Sequence, residues 1–199
     1  MTSFGRRAGF TLLELIIAVT IIGIIVLMVM GAMRLGFRSV SSGEKKMESL
    51  ERMRSSLTII DSQIQSGIPV TYIEDGDLKY YFKGQRGLLQ LSTNYSFRDR
   101  QRGYVVVTYR VVSDVSGKKS LYASENIIGI KDKREVKLLD GFDEMYFEYF
   151  YKDPIEGKEK WVEEVKYNLY IPEKVRLHIV DGTKKLSINI PVRARGFGY

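Results

Sequence analysis

The chain has 199 residues, which is enough for one domain of ordinary size and an appendage. Thirteen tyrosines, nine phenylalanines and an aliphatic and aromatic content of 44% predict a β-rich body with a true core. The absence of cysteine excludes disulfides, zinc–thiolate sites and thiol nucleophiles. The formal charge is +7, and the chain without residues 1–9 holds 29 basic and 24 acidic residues, or +5. This scattered excess argues against nucleic-acid binding, which requires a clustered basic face.

The first predicted element is an uncharged apolar run of 19 residues, Leu15–Met33. At 1.5 Å per residue, a helix of this length matches the roughly 30 Å hydrocarbon core of a bilayer. A cleaved secretory signal has a shorter apolar stretch followed by small residues at the cleavage site, and neither feature precedes Arg34. We therefore expect a transmembrane helix that stays in the mature protein. Basic residues flank the run on both sides, so charge alone leaves its orientation open.

A single carboxylate, Glu14, stands directly before this run. A charged side chain inside a bilayer costs at least about 2.5 kcal/mol, so such residues usually have a partner. One interpretation places Glu14 at the headgroup level, where the helix dipole favours an acid near the first turn. The other gives it a specific cationic partner. The residues around it are distinctive: a short basic leader, then Gly-Phe-Thr-Leu-Leu-Glu from Gly9 to Glu14, then the apolar run.

This arrangement resembles the class III signal of type IV pilins and type II secretion pseudopilins. The resemblance implies that a prepilin peptidase removes residues 1–9 by cutting between Gly9 and Phe10, and that the new amino terminus on Phe10 is methylated. It implies that Glu14 serves subunit assembly, with its charge neutralised by a positive amino terminus in the growing fibre. It also implies a single-pass protein of the bacterial inner membrane, with its leader in the cytoplasm and its C-terminal domain in the periplasm.

Helical periodicity continues beyond the apolar run. Apolar residues recur at steps of three and four, with charged residues between them, and form an amphipathic stripe: Met47, Leu50, Met53, Leu57, Ile60 and Ile64. Ser66–Pro69 ends the pattern, so one helix of 57 residues could run from Phe10 to Ser66, with weak points at Gly36 and Gly43. The stripe could pack on the protein's own sheet or form a coiled coil with a partner, and we expect the former.

Short strands separated by turns follow Pro69. The predicted strands are 78–83, 88–91, 104–112, 146–151, 174–180 and 186–192. The sequence therefore predicts an α+β fold, in which a long N-terminal helix packs on antiparallel sheet, as in pilins. The predicted parts are a leader (1–9), a transmembrane and assembly half of the helix (10–33), an amphipathic half (34–66) and a periplasmic β-rich head (67–199).

The body resembles the J-type minor pseudopilin of type II secretion. The segments that carry this resemblance are FKGQRG (82–87), VVVTYRV (105–111), LLDGFDEMYFEYFY (138–151), Trp161 and IPEKVRLHI (171–179). The resemblance implies a tip subunit that joins the I and K types, and possibly the H type, before the major G type extends the fibre. It also implies an inner-membrane assembly platform as a partner.

The remaining candidates for chemistry have structural interpretations. With one histidine, His178, we expect a solvent-facing strand residue and neither a Ser–His triad nor a multi-histidine metal site. Glu74–Asp77 resembles part of a calcium loop but lacks the further ligands, so we expect a turn. The adjacent acids Glu163 and Glu164 would point to opposite faces of a strand and could not act together. Arg98–Arg102 is expected to be a solvated loop, with contact to a partner subunit or phospholipid as the alternative.

We therefore expect no catalytic residue, no metal and no cofactor, and no small-molecule or nucleic-acid ligand. The favoured function is a structural tip subunit of a secretion pseudopilus. A minor pilin that primes a type IV pilus for adhesion, motility or DNA uptake is the first alternative. A membrane-tethered periplasmic binding module that never polymerises is the second.

Overall fold

The computed structural model describes residues 11–96, 104–127, 134–152, 157–165 and 171–193. One helix, α1 (Leu12–Gln65, 54 residues), is followed in these ranges by eleven strands. The strands are β1 (Thr71–Glu74), β2 (Asp77–Tyr80), β3 (Lys83–Gln85), β4 (Leu88–Thr93), β5 (Val105–Ser113), β6 (Lys119–Ile127), β7 (Arg134–Phe142), β8 (Glu144–Lys152), β9 (Glu159–Val162), β10 (Lys174–Asp181) and β11 (Lys184–Pro191). The chain therefore has the predicted α+β fold, with one long N-terminal helix and antiparallel sheets.

The chain divides into two compact units, Met1–Glu51 and Arg52–Tyr199. The described part of the first unit is helical from Leu12 onward, and all of its side chains are exposed. The second unit contains the last fourteen residues of α1 and all the described strands. We refer to the first unit as the anchor helix and to the second as the head.

Among the described residues, the head contains three antiparallel sheets. A five-stranded sheet has the order β3-β4-β5-β6-β7, so each strand pairs with its neighbour in sequence. A four-stranded sheet has the order β11-β10-β8-β9, and β1 pairs with β2 in a separate hairpin. The alternation of buried and exposed residues along β8 and β10 follows from this arrangement, because each strand has one face toward the core and one toward solvent.

The core joins the inner faces of the two larger sheets to the end of α1. Its fully buried members include Ile60 and Ile64 from the helix, Tyr109 from β5, and Phe147 and Tyr149 from β8. The helix ends where Gly67 forms a bridge with Thr93 at the end of β4. The last part of the apolar stripe, from Met53 to Ile64, thus serves as the helical side of this core.

The segment after β2 connects the two larger sheets. The sequence predicted a single strand from 78 to 83, but the structure splits it between β2 and β3, so this prediction was wrong. The main chain at Gly84 passes so close to Tyr149 that a Cβ atom there would lie 2.8 Å from its ring. The Tyr149 hydroxyl donates to the carbonyls of Gln85 and Leu88, each at 2.9 Å. β3 therefore pairs with the five-stranded sheet and contacts β8 of the other.

Candidate processing and assembly site

Thr11 and Glu14 form a capping box at the start of α1. The Glu14 main-chain N–H donates to Thr11 Oγ1 at 3.3 Å, and the Thr11 N–H donates to Glu14 Oε2 at 3.3 Å. This reciprocal pair satisfies two of the N–H groups that a helix N-terminus leaves without partners. The Glu14 carboxylate is thereby held beside the main chain, and Glu14 is the fifth residue after the predicted cleavage junction. Gly9 and Phe10 lie outside the described residues, so their predicted roles in cleavage and methylation stay predictions.

The capping box is a feature that our sequence interpretation of Glu14 missed. Its signal was present, because Thr-x-x-Glu directly before an apolar run is the pattern of a capping box. Both interpretations of Glu14 treated only its charge, and neither considered its local hydrogen bonds. The structure adds a third role, helix initiation, without testing the predicted role in assembly.

After this cap, the anchor helix presents apolar side chains on every side. Those of the run from Leu15 to Met33 are about half exposed or more, and none is buried within the chain. Among the described residues, α1 is the one helix long and apolar enough to cross a membrane. A helix that is apolar all round without protein contacts is typical of a membrane span. This region fits a single N-terminal membrane anchor.

The amphipathic stripe divides at the boundary between the two units. Met53 and Leu57 are partly buried, and Ile60 and Ile64 are fully buried in the core of the head. Met47 and Leu50, together with the nearby Leu35, Phe37 and Val40, are exposed. The expectation that the stripe packs on the protein's own sheet is therefore correct for its second half. Its first half remains available to another chain.

Polar contacts also bind the end of α1 to the sheets. Ser56 Oγ donates to the Leu138 carbonyl at 2.7 Å, at the edge strand β7. Gln63, fully buried, donates from Nε2 to Glu125 Oε1 at 2.6 Å and accepts a hydrogen bond from the Tyr109 hydroxyl. Burial, and secondarily the charge of Glu125, raise the pKa of Tyr109 well above its usual value, so this hydroxyl stays a donor. The polar residues therefore fix the helix in one register on the sheet.

His178 lies in a hydrogen-bonded row that crosses three strands. Ser187 Oγ lies 2.8 Å from His178 Nδ1, and His178 Nε2 lies 2.6 Å from Glu148 Oε2. The ring stacks on Tyr146 with centroids 4.4 Å apart, and Arg176 also reaches Glu148. His178 lies on the outer face of β10, as predicted, because Val175, Leu177 and Ile179 are buried on the opposite face.

A Ser–His triad was not expected because the chain has a single histidine, and this reason was wrong. A triad needs only one histidine, and neighbouring strands place Ser187 and Glu148 on either side of it. A hydrolytic site also needs donors aimed at an oxyanion and a place for substrate. This row lies on the outward face of the four-stranded sheet, where cross-strand contacts of this kind stabilise the sheet. We therefore interpret the row as a set of cross-strand side-chain contacts that stabilises the sheet.

The other candidates occupy structural positions. Glu74–Asp77 closes the hairpin of β1 and β2, as expected of a turn. Glu163 and Glu164 follow the end of β9 instead of lying within a strand, and Glu163 forms an ion pair with Arg86. Arg98–Arg102 lies outside the described residues. Within the described ranges, no group of three or more His, Asp or Glu side chains is arranged to hold a metal ion.

One family model matches the chain. The prokaryotic N-terminal methylation motif covers residues 5–30, which include the predicted junction, the capping box and most of the apolar run. No curated protein matches the chain. The motif and the apolar helix that begins within it indicate a type IV pilin-like or pseudopilin precursor.

Proposed function

We propose that this protein is a minor pseudopilin of a type II secretion system, a structural subunit at the tip of the periplasmic pseudopilus. The observation that carries the proposal is the methylation motif at residues 5–30, which includes most of the exposed apolar run at the start of α1. The apolar side chains of such an anchor are buried by lipid before assembly and by neighbouring helices in a fibre.

The J-type assignment is supported by how two of its sequence segments meet in the head. Phe82 and Gly84 of the first segment pack against Tyr149 of the third: the rings of Phe82 and Tyr149 meet edge to face, 6.0 Å apart, and Gly84 lies under the Tyr149 ring. Glycine is required there because any side chain would collide with that ring. These two segments therefore form one packing unit in the head.

In this proposal Glu14 exchanges partners during assembly. In the single chain its carboxylate accepts the Thr11 N–H, a weak partner for a full charge. A protonated amino terminus of a neighbouring subunit would replace that donor and neutralise the charge in a low-dielectric environment, where opposite charges attract strongly. The capping box holds the carboxylate in place until that partner arrives.

The remaining parts of the proposal concern surroundings and partners. The leader lies in the cytoplasm, the anchor helix crosses the inner membrane and the head lies in the periplasm. Partners are the prepilin peptidase, the inner-membrane assembly platform, the I- and K-type and possibly H-type minor subunits, and the major G-type subunit. The protein itself is a substrate of an enzyme and has no catalytic activity.

Processing is the first test. Co-expression with a prepilin peptidase should yield a product that starts at Phe10, detected by mass spectrometry of the intact protein. Replacing Gly9 with a bulky residue should block cleavage, while the matched change Gly5→Leu in the leader should leave it intact. An uncleaved Met1 terminus in cells with an active peptidase contradicts the pilin-like proposal.

Assembly is the second test. Glu14→Ala should preserve cleavage and membrane insertion but reduce crosslinking to neighbouring subunits, and Glu14→Asp should be milder. The control Thr11→Ala removes the capping hydroxyl and keeps the charge, so it should affect crosslinking less than Glu14→Ala. Equal crosslinking of Glu14→Ala and wild type, at matched membrane levels, would show that Glu14 acts only as a headgroup-level residue.

A minor type IV pilin is the second candidate function, favoured by the same motif. Deleting the chain from its host distinguishes the two. Loss of a secreted enzyme from the medium with surface pili intact supports the pseudopilin, and loss of surface pili with secretion intact supports the pilin. If neither changes and the chain is never incorporated into a fibre, the membrane-tethered binding module is correct.

A further inference from the structure

The strand β11 forms one edge of the four-stranded sheet. It pairs with β10 over all eight of its residues, in an unbroken register from Lys184 opposite Asp181 to Pro191 opposite Lys174. Among the described residues, no strand pairs with its other side. The exposure of its side chains agrees, because Ile190 alone of the eight is buried. One side of β11 is therefore an open edge.

The other outer strands of the two larger sheets are short, irregular or covered. β9 has four residues and β3 has three, and the main chain at Gly84 of β3 forms a bridge with Val165. β7 has register shifts against β6, and its Leu138 carbonyl accepts a hydrogen bond from Ser56 of α1. Such features protect an edge from pairing with another chain, whereas a long regular edge is a template for it. In the part of the chain that the structure describes, β11 is the longest regular open edge.

The hydrogen bonds to β10 determine which main-chain groups of β11 point outward. The Val192 N–H donates to the Glu173 carbonyl at 2.8 Å, which identifies the even-numbered residues of β11 as those bonded to β10. In an antiparallel pair, these residues alternate with residues whose N–H and C=O groups point the other way. The outward-pointing residues with both groups are Lys185, Ser187 and Asn189.

Side-chain contacts hold this edge in place. Ser187 Oγ lies 2.8 Å from His178 Nδ1, and Arg176 Nε donates to Asn189 Oδ1 at 2.6 Å. Ser187 and Asn189 therefore have their side chains engaged with β10, while their main-chain groups point to the open edge. A strand that is already ordered loses little conformational entropy when another strand pairs with it.

The sequence of this edge is complementary to itself. When two copies of β11 meet antiparallel about a two-fold axis at Ser187, Lys185 of each copy faces Asn189 of the other, so no like charges are opposed. Each outward N–H and C=O of these three residues then has a main-chain partner. On the inner face of the sheet, Leu186, which is 41% exposed, lies opposite the partly buried Ile188 of the second copy. This register therefore pairs the edge and covers its apolar side chains.

We propose that β11 docks on β11 of a second copy of this chain, so that the two four-stranded sheets become one continuous sheet. Main-chain hydrogen bonds supply the attraction between the edges, and the side chains that face each other set the register. The same surface serves both copies, as in other two-fold interfaces. The proposal uses only β10 and β11, and it does not depend on the pseudopilin assignment.

The chain has no cysteine, so a single introduced cysteine reports this contact directly. In the full-length chain solubilised in detergent, Ser187→Cys should give a disulfide-linked dimer under mild oxidation, because Cα atoms of such a pair lie about 5.5 Å apart. Lys185→Cys is the matched control on the same face of β11. Its two copies would lie four residues apart, or roughly 13 Å, which is too far for a disulfide. Equal dimer yields from the two variants, or no dimer from Ser187→Cys, would overturn the proposal.

A mixed pair of cysteines gives a second test that leaves Ser187 unchanged. Lys185→Cys and Asn189→Cys chains with different tags should form disulfides with each other and not with themselves. In the Ser187→Cys chain, Asn189→Lys should lower the dimer yield at least about twofold, because two symmetric pairs of like charges would then be opposed. Asn189→Ser is the control, since it removes the same contact with Arg176 and adds no charge. Absence of the mixed disulfide, or equal yields for these last two variants, would contradict the proposal.

Discussion

The two parts of α1 contain similar apolar residues, but these are exposed in the anchor helix and buried in the head. Ile24 in the anchor helix is 49% exposed, whereas Ile60 in the head is completely buried. The difference lies in what surrounds them, because the strands of the head cover the helix only from Met53 onward. Apolar residues of the head stabilise the fold of this chain, while those of the anchor helix gain burial only from a bilayer or another chain. Folding of the head and placement of the anchor are therefore energetically separate.

A matched pair of substitutions tests this separation most strongly. Ile60→Ala should lower the free energy of unfolding of the head by about 2–5 kcal/mol, because it leaves a cavity in a packed core. Ile24→Ala should leave that free energy unchanged. Urea unfolding of the detergent-solubilised chain, followed by the emission of the single tryptophan, Trp161, measures both. An equal decrease in the free energy of unfolding for the two variants would show that the head and the anchor helix are not energetically separate.

The buried polar contacts provide a second test of what stabilises the end of α1 in the head. Gln63→Leu removes the acceptor of the Tyr109 hydroxyl and a donor to Glu125, and both groups are buried. We expect the free energy of unfolding to fall by about 1–3 kcal/mol, because the buried Tyr109 hydroxyl would lose its acceptor, whereas Glu125 would lose one donor and keep Ser96 Oγ. Gln65→Leu is the control, because among the described residues the Gln65 side chain bonds to Asp61 on its own helix and to no strand. The same urea titration should show little change for this control.

The close approach at Gly84 gives a smaller effect. Gly84→Ala should cost about 1–3 kcal/mol, because its methyl group would collide with the Tyr149 ring unless the two sheets shift. Gly87→Ala is a matched control in the next turn, where an added methyl meets no atom within 4 Å. In thermal unfolding, the midpoint temperature should fall for Gly84→Ala and stay unchanged for Gly87→Ala. An unchanged midpoint would show that β3 and β8 can move apart freely.

The smallest effect concerns pH and exposed charges of the head. An ion pair with Lys118 at 2.8 Å, and then the Gly182 N–H, lower the pKa of Asp143 below its usual 3.8. A carboxyl group with a lowered folded-state pKa stabilises the fold above its unfolded pKa, and this contribution is lost as the pH falls through the folded value. Asp143→Asn should therefore reduce stability at neutral pH, and its difference from wild type should shrink in acid.

The same experiment can be extended to alkaline pH, and it has a control variant. The same ion pair raises the pKa of Lys118 above 10.5, so its contribution is present at neutral pH and is lost as the pH rises through the raised value. Glu164→Gln, after the end of β9, controls for removing an exposed acid from the head. A constant difference between Asp143→Asn and wild type from neutral pH into acid would contradict the assignment.

Periodicity made much of the fold predictable. The alternation in 174–180 and the β-branched run in 104–112 predicted β10 and β5 to within a residue or two at each end. β6 and β7 were missed because polar and charged residues interrupt their patterns, and their strand character depends on pairing with neighbours. The break between β2 and β3 was missed because the path of β3 involves the close approach of Gly84 to Tyr149, residues far apart in the sequence.

The candidate site was predictable only where its chemistry is local. Glu14 and the apolar run could be found from consecutive residues, and the capping box could have been found in the same way. The buried contacts of Gln63 could not, since they require β5 and β6 to lie beneath the helix. The row around His178 depends likewise on the register of three strands. Contacts between distant residues follow from the fold and are not visible in local patterns.

The anchoring of α1 in the head has a mechanical consequence. The bonds of Ser56 to β7 and of Gln63 to the residues beneath it are seven residues apart, or about 10 Å along the helix axis. A pull along that axis loads both attachments at the same time, together with the packing of Ile60 between them. A sideways pull at the start of the contact would load them one after another. The head therefore offers its greatest resistance to tension directed along the helix.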